Sequence, residues 1–393
     1  MMNFASNYRT KTLFQEKNNG VVMKKNGLPG YPMGIDIGYG GVKLYAPNIC
    51  ATFPSYAKQI DLKSFIEEFT TDDILYTDLK TGLTWLVGRS AQNAVQLSDT
   101  SDTIEALCGR NRYYSPMFKV LLETSLGISL MDTANVHNYL QEGQVPYITT
   151  GLPCQYIEAD APFLKDAFAG KHDFRIQIGQ TTPKEFHLDI PMSNIQIIKQ
   201  PMGAYISATT DINWNQSHGL KTVRTLIFDP GFKTLDTFSV RGGNVDSKES
   251  WQDLGMSRIL QEVSKQILSD FGMDIPPAHM QKYLETGEFP CVDRKARRSA
   301  KVDFSYILEA KSKEICNIAL DRAFEMYDYF TDYDCFVLAG GTGAAWKDWI
   351  KEGLSGISAL RVIADDTPDG MPMYFANSRG YYEFCRMWIA SLT

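Results

Sequence analysis

The stretch GIDIGYGGVKLYA, from Gly34 to Ala46, carries an aspartate, three glycines in four positions and a lysine between apolar residues. A dinucleotide-binding fingerprint would place a helix after these glycines. The residues from Val42 to Tyr45 instead alternate apolar and polar side chains, which is typical of a second strand. The stretch therefore predicts a β-hairpin. Its backbone N–H groups can face an anion, and Asp36 beside them can hold a hydrated cation.

A second stretch, TLIFDPGFKTLDTFSV from Thr225 to Val240, repeats this pattern. An apolar strand ends at Asp229, a turn carries Gly231, and a second alternating strand follows. Both stretches contain aspartate, any residue, glycine and an aromatic residue at the tip of a hairpin. One such tetrad is common by chance, but two in matching hairpins suggest a duplicated domain with a ligand held between the copies.

A third glycine cluster lies in CFVLAGGTGAAWKDWIKEG, from Cys335 to Gly353. The pattern predicts a strand over 335–338, a loop with Gly340, Gly341 and Gly343, and then a helix. Such a loop leaves helix N–H groups free to meet a phosphate or ribose. No G-x-x-x-x-G-K-[ST] motif occurs in the chain, which excludes a P-loop nucleoside triphosphatase.

Composition restricts the class of protein further. The chain has 393 residues, 44% hydrophobic residues and a net charge of −7, which predicts a globular protein with no direct nucleic-acid binding. Seven dispersed cysteines without a C-x-x-C pair indicate cytoplasmic thiols rather than disulfides or a zinc site. No apolar run approaches the ~18 residues needed to cross a bilayer, so we expect no membrane association.

The remaining periodicity predicts an α/β protein with mixed sheets. Apolar residues recur at helical spacing over 256–271 and 304–324. Strand-like runs occur at 145–150, 175–178, 186–190 and 195–198. Pro276 and Pro277 predict a loop between the helical segments.

Two phosphate hairpins followed by a glycine-rich strand-to-helix loop resemble the superfamily of actin, the seventy-kilodalton heat-shock proteins and the sugar kinases. Within it, GIDIGYGGVK, TTGLP at 149–153 and FANSRGYYEF at 375–384 are most similar to bacterial and archaeal actin-like proteins of the ParM/StbA type. The resemblance covers roughly residues 33–388.

The resemblance implies two RNase H-like domains, each with a mixed five-stranded sheet flanked by helices, and a nucleotide in the cleft between them. It implies domain I over 34–200, domain II over 201–365 and a C-terminal segment, 366–393, that returns to domain I. We expect residues 1–33 to form a flexible arm.

The family's functional residues are carried over by position. The resemblance implies that Asp36 and Asp229 hold Mg²⁺ and that ATP, or GTP, contacts two hairpins and one loop. The nucleotide-binding positions are Gly38, Tyr39, Gly40, Gly41 and Lys43 in the first hairpin, Gly231, Phe232, Lys233 and Thr234 in the second, Gly340, Gly341, Thr342 and Gly343 in the loop, and Arg258 beside the purine.

Hydrolysis needs a polar side chain that places the attacking water. The ParM-like pattern commonly has a carboxylate or amide after the proline that enters the second domain, but here Met202 follows Pro201. Gln200 is the candidate replacement, with Asp36, Asp229 and Thr234 as the alternative. Gly203 and Ala204 are small residues of the kind expected where the domains hinge closely together.

The resemblance implies an ATPase that polymerises head to tail and positions DNA, such as a plasmid, through a DNA-binding adaptor. A small-molecule kinase and a chaperone or assembly ATPase of the same superfamily stay open as alternatives. The kinase needs a general base aimed at a sugar hydroxyl. The chaperone normally carries a separate substrate domain, and only some 50 residues follow the third glycine cluster.

Overall fold

The computed structural model describes residues 4–61, 70–94, 110–131, 145–213, 215, 219–220, 222–293 and 297–393. The chain forms two compact units. The larger unit comprises Thr10–Ser207 and Phe375–Thr393, and the smaller unit comprises Met1–Arg9 and Ala208–Tyr374. The expected domain boundaries at 201 and 366 lie several residues before these crossings.

The strands are numbered in chain order. Those of the larger unit are β1 (Leu13–Glu16), β2 (Val22–Met23), β3 (Pro29–Ile37), β4 (Gly41–Tyr45), β5 (Ile49–Pro54), β6 (Ala57–Ile60), β7 (Ile74–Asp78), β8 (Thr84–Val87), β9 (Val145–Leu152), β10 (Gly170–Ile178), β11 (Lys184–Ile190) and β12 (Ile195–Lys199). Those of the smaller unit are β13 (Arg224–Pro230), β14 (Leu235–Arg241), β15 (Asn244–Trp251), β16 (Glu288–Asp293), β17 (Arg298–Asp303), β18 (Cys335–Leu338) and β19 (Arg361–Ile363).

The α-helices of the described residues are numbered in the same way. They are α1 (Arg89–Ala94), α2 (Pro116–Ser129), α3 (Ile157–Phe168), α4 (Gln200–Thr209), α5 (Met256–Phe271), α6 (Pro277–Met280), α7 (Ser305–Met326), α8 (Gly341–Leu354) and α9 (Ala376–Ser391). Short 3₁₀ helices cover Phe4–Tyr8, Arg110–Tyr114, Met192–Asn194, Gln281–Glu285, Asp328–Phe330 and Met373–Phe375.

The two units contain sheets of the same order and direction. In the larger unit the order β5-β4-β3-β9-β12 combines two antiparallel pairings with two parallel ones. In the smaller unit β15-β14-β13-β18-β19 repeats this arrangement. The duplication predicted from the two hairpins is therefore present in the topology.

The N-terminal segment enlarges the sheet of the larger unit from five strands to seven. Strand β1 pairs antiparallel with β5, and β2 pairs antiparallel with β3. Before these strands, Ala5 is fully buried in the core of the smaller unit, and the Tyr8 hydroxyl hydrogen-bonds the Ser312 hydroxyl. We expected residues 1–33 to form a flexible arm. The part of this segment that the structure describes is instead held by strand pairing and by the burial of Ala5.

A second, antiparallel sheet of order β11-β10-β7-β8-β6 completes the larger unit. Its inner face packs with β3–β5 and α2 in one apolar core that includes Phe118, Phe174 and Ile176. Helix α2 begins where Ser115 accepts a hydrogen bond from the Phe118 N–H at 3.1 Å and Pro116 takes the first position, a favoured helix start.

Helix α5 shows why the predicted helices formed. Ile259, Leu260, Val263 and Ile267 recur at helical spacing and are buried in the core of the smaller unit. The helix ends at Gly272, whose φ of 65° is the left-handed conformation that glycine adopts at low cost. Of the helices that the structure describes, none has the length and apolar character to cross a membrane.

Candidate functional site

The first hairpin joins β3 to β4 as the alternation predicts. Asp36 is opposite Lys43 in the strand register and is buried to 6% exposure. The Lys43 Nζ lies 3.7 Å from the Asp36 Oδ2. The hairpin therefore presents a buried carboxylate and a partner cation at the foot of a glycine turn.

Two hydroxyl groups hold the carbonyl oxygens of this turn. The Ser55 hydroxyl donates to the Gly38 carbonyl at 2.6 Å, and the Thr10 hydroxyl donates to the Gly40 carbonyl at 3.0 Å. A Cβ added to Gly38 would lie 2.9 Å from the Gly41 carbonyl and 3.7 Å from the Lys43 Nζ. Glycine at 38 thus lets the backbone of the turn close on itself next to the Lys43 cation.

The second hairpin joins β13 to β14 in the smaller unit. Asp229 is the last residue but one of β13, as Asp36 is of β3, and it is 2% exposed. The Gly231 N–H donates to the Thr234 carbonyl at 2.8 Å and closes the turn. The two aspartates therefore occupy equivalent places in equivalent sheets.

The start of α5 rests on this second turn. The Met256 N–H donates to the Gly231 carbonyl at 3.1 Å, and the Ser257 N–H donates to the Phe232 carbonyl at 2.7 Å. A Cβ on Gly255 would lie 2.7 Å from the Phe232 carbonyl oxygen. Glycine at 255 thus permits the helix to approach the hairpin backbone.

The third glycine cluster lies directly against the second hairpin. Gly340 has a φ of 78°, and a Cβ there would lie 2.4 Å from the Asp229 Oδ1 and 2.6 Å from the Pro230 carbonyl oxygen. The Thr342 hydroxyl donates to the Gly231 carbonyl at 2.9 Å. Helix α8 begins at Gly341, so its unpaired N–H groups open beside the hairpin, where an anion or a ribose hydroxyl could bind.

The sequence reasoning missed Asp236, the register partner of Asp229. Asp236 is 2% exposed and accepts a hydrogen bond from the Thr234 hydroxyl at 2.9 Å. Burial raises the pKa of this carboxyl to about 6, against the hydrogen bond from Thr234, which lowers it. The signal was an acidic residue inside the predicted strand LDTFSV.

Among the remaining candidates, the backbone of Phe232 and Lys233 takes part in the contact with the start of α5. Gln200 is the first residue of α4 and is half-buried. Phe232 and Lys233 are half-buried in the second turn. Arg258 lies on α5, and its guanidinium is 3.1 Å from the Glu262 carboxylate one turn later. Arg258 thus already has an acidic partner on its own helix.

Comparison with known proteins agrees with this geometry. Residues 34–203 match the family described as the N-terminal domain of actin-like proteins. A non-polymerisable quadruple mutant of pCBH ParM superposes with a TM-score of 0.70 at 22% identity, over 91% of this chain and 99% of that one. The chain has an actin-like fold. The predicted resemblance to ParM-type proteins is therefore confirmed at the level of the fold.

Two further solved structures share this actin-like fold. A 15-stranded ParM filament from Clostridium botulinum has a TM-score of 0.66 at 22% identity, over 91% of this chain and 99% of that chain. The archaeal actin homolog Ta0583 in complex with ADP has a TM-score of 0.56 at 16% identity, over 90% and 99%. No curated protein sequence matches the chain.

Each hairpin supplies a buried carboxylate, and a Mg²⁺ site needs only one or two protein carboxylates. Among the residues that the structure describes, no three His, Cys, Asp or Glu side chains gather into a metal-binding group. Mg²⁺ is usually held by one or two carboxylates together with waters and substrate phosphates. Asp36 in the larger unit and Asp229 in the smaller unit are each a buried carboxylate of this donor type.

Proposed function

We propose that this protein binds ATP, or GTP, with Mg²⁺, polymerises into filaments and hydrolyses the nucleotide. One observation carries the proposal. The same aspartate, glycine and aromatic pattern ends equivalent strands of two sheets with the same order. A duplicated pair of anion-binding turns, each with a carboxylate, is suited to a polyphosphate and its cation.

In this proposal the first hairpin binds the terminal phosphates. Its carbonyls at Gly38 and Gly40 already accept hydrogen bonds from hydroxyl groups, which fixes the turn before any ligand arrives. Lys43 adds a point charge, and Asp36 orients the hydrated Mg²⁺. A turn fixed in advance loses little conformational entropy when an anion binds.

The second hairpin and the loop before α8 bind the rest of the nucleotide. Asp229 would be a second carboxylate for the cation, and residues 231–234 would contact phosphate. Residues 340–343 line the ribose and adenine, where Gly340 admits no side chain because Asp229 lies against it. Arg258 would have to leave Glu262 to flank the purine.

Filament formation is supported by the likeness to the ParM filament. A head-to-tail contact that does not close into a ring generates such a polymer. We propose that the filament positions DNA such as a low-copy plasmid in the cytoplasm. A separate DNA-binding adaptor makes the contact, because a net charge of −7 disfavours direct binding to DNA.

Hydrolysis depends on Gln200 in this account. Met202 has only a weak thioether acceptor and cannot orient water strongly. The amide of Gln200 can both donate and accept, and it begins the helix that leads out of the larger unit. We therefore propose slow hydrolysis that Gln200 supports.

Calorimetric titration with MgATP tests the nucleotide site. Asp36→Asn and Asp229→Asn should each raise the dissociation constant for MgATP at least tenfold. Asp189→Asn, which changes an exposed acid on β11, should leave the affinity unchanged. Equal affinity in all four proteins would show that the hairpins do not bind the nucleotide. Gln200→Ala should slow phosphate release and leave binding within threefold of wild type.

A further inference from the structure

Arg112 lies in an aromatic cluster beside the first hairpin. It belongs to the 3₁₀ helix Arg110–Tyr114 and is 7% exposed. Its Cζ lies 4.4 Å from the ring centroid of Tyr39, 5.1 Å from that of Tyr113 and 5.5 Å from that of Phe118. Tyr39 is part of the glycine turn of the first hairpin, so Arg112 brings a buried positive charge to that turn.

This guanidinium lacks an acidic partner within the described residues. Its Nε and Nη1 atoms are buried and donate no hydrogen bond to the described residues. No ion pair of Arg112 occurs among the described carboxylates. By contrast, the buried Arg379 pairs with Glu383 and donates to the Ser207 carbonyl at 2.9 Å.

A buried charge without a partner is costly, because the protein interior replaces water poorly. The three aromatic faces recover part of this cost through cation–π attraction. Lys43, the other cation of the hairpin, has the Asp36 carboxylate 3.7 Å away. Among the described residues, Arg112 is therefore a positive charge without a carboxylate in ion-pair distance, beside a turn that suits an anion.

We propose that Arg112 is a positioning residue of the phosphate site, whose charge is balanced by the polyphosphate held at the first hairpin. It acts through Tyr39, since the ring stacks on the guanidinium and the Tyr39 backbone belongs to the turn. This inference rests on the proposed nucleotide binding. It adds a residue from a separate segment, some 70 positions after the hairpin in the sequence.

A positioning role for Arg112 predicts two results that a purely structural role would not give. Without ligand, Arg112→Met should melt at the same temperature as wild type or higher, because an uncharged chain of similar length fills the cluster. In binding measurements, the same variant should lose affinity for MgATP, which carries phosphates, and keep its affinity for adenosine, which has none. A structural arginine would instead lower the melting temperature and affect both ligands alike.

The experiment measures melting temperatures without ligand and dissociation constants for MgATP and adenosine. Arg112→Met should bind MgATP at least tenfold more weakly than wild type and adenosine within twofold. Arg112→Lys, which keeps the charge, should bind MgATP within threefold. Arg175→Met, which removes an exposed arginine paired with Glu185, is the matched control and should bind both ligands as wild type does. Arg112→Gln gives the same test if the methionine variant does not fold.

The outcomes separate this proposal from the one on which it rests. If wild type binds MgATP and the two neutral variants bind it equally well, the role of Arg112 is overturned and the proposed function stands. If wild type does not bind MgATP, both are overturned. If a neutral variant melts at a lower temperature than wild type and loses as much affinity for adenosine as for MgATP, Arg112 has a structural role and the inference is overturned.

Discussion

Gly203 and Gly380 bring two helices of the larger unit into backbone contact. A Cβ added to Gly380 would lie 1.8 Å from the Gly203 carbonyl oxygen, and one added to Gly203 would lie 2.8 Å from the Asn377 carbonyl oxygen. The chain passes from one unit to the other after Ser207, within α4, and after Tyr374, just before α9. The close contact therefore fixes the segments that lead to both crossings.

Gly380→Ala should destabilise the protein strongly, because the atom it meets is backbone and cannot turn away. We expect a loss of roughly 3 kcal/mol or more in the free energy of unfolding, at the upper end for overpacking. Urea unfolding measures it. Gly356→Ala, where an added Cβ meets nothing within 4 Å, should change stability little, and equal losses in both variants would contradict the contact.

Asp236 should make stability depend on pH in a predictable direction. Its pKa in the folded protein is raised to about 6 from 3.8, chiefly by burial, so its ionisation opposes folding. The stability it contributes is fully present below pH 3.8 and is lost as pH rises through about 6. Asp236→Asn should therefore gain on wild type between pH 4 and pH 7, by roughly 3 kcal/mol at most.

Asp253→Asn is the control with the opposite sign. The hydrogen bonds from Arg322 hold the pKa of the Asp253 carboxyl below its usual value, so this acid contributes most at neutral pH. The asparagine variant should lose slightly at pH 7 and match wild type in acid. Urea unfolding across this pH range would contradict the account if Asp236→Asn gained nothing on wild type, or lost relative to it, on going from pH 4 to pH 7.

Gly340→Ala should damage the loop before α8 more than its backbone angle alone explains. Gly340 and Gly370 have φ values of 78° and 76°, so alanine is strained at both. Only at Gly340, of these two, does the new Cβ meet Asp229 and Pro230. Gly340→Ala should lower the melting temperature further than Gly370→Ala does. It should also weaken the binding of MgATP at least tenfold. Equal melting temperatures and affinities would remove Gly340 from the site.

The N-terminal anchor should be released by a charge at Ala5. Ala5 is fully buried, whereas Asn7 is exposed. Ala5→Asp should therefore detach the 3₁₀ helix and speed tryptic cleavage after Arg9 and Lys11, because burying an unpaired carboxylate is unfavourable. Asn7→Asp adds the same charge and should be cut as slowly as wild type. Slow cleavage of both variants would contradict the anchor.

Local pattern predicted the hairpins well. The alternation after Gly41 and after Thr234 comes from strands with one pairing partner next to them in sequence, so local spacing contains the signal. The helix over 256–271 likewise follows from its own apolar spacing. Gly203 was expected as a small residue at a hinge between the domains, which stays a prediction; within the larger unit the structure places it against Gly380.

Long-range contacts were beyond the sequence pattern. The segment at Leu13–Glu16 becomes a strand because the edge of β5 accepts it, and nothing in its own four residues requires that pairing. Thr10, Ser55 and Asp236 support their turns from other parts of the chain or from across a strand pair. Their roles depend on tertiary distance, which spacing in one sequence does not supply.

In the proposed function, nucleotide binding drives the assembly of this actin-like chain. High-speed sedimentation with MgATP, MgGTP, MgADP or no nucleotide, with released phosphate followed in the same samples, tests it most directly. We predict that the protein pellets with a triphosphate and that phosphate release lags behind pelleting. Protein that stays in the supernatant in every sample, well above the ~10 μM at which weak subunit contacts are populated, would contradict the claim.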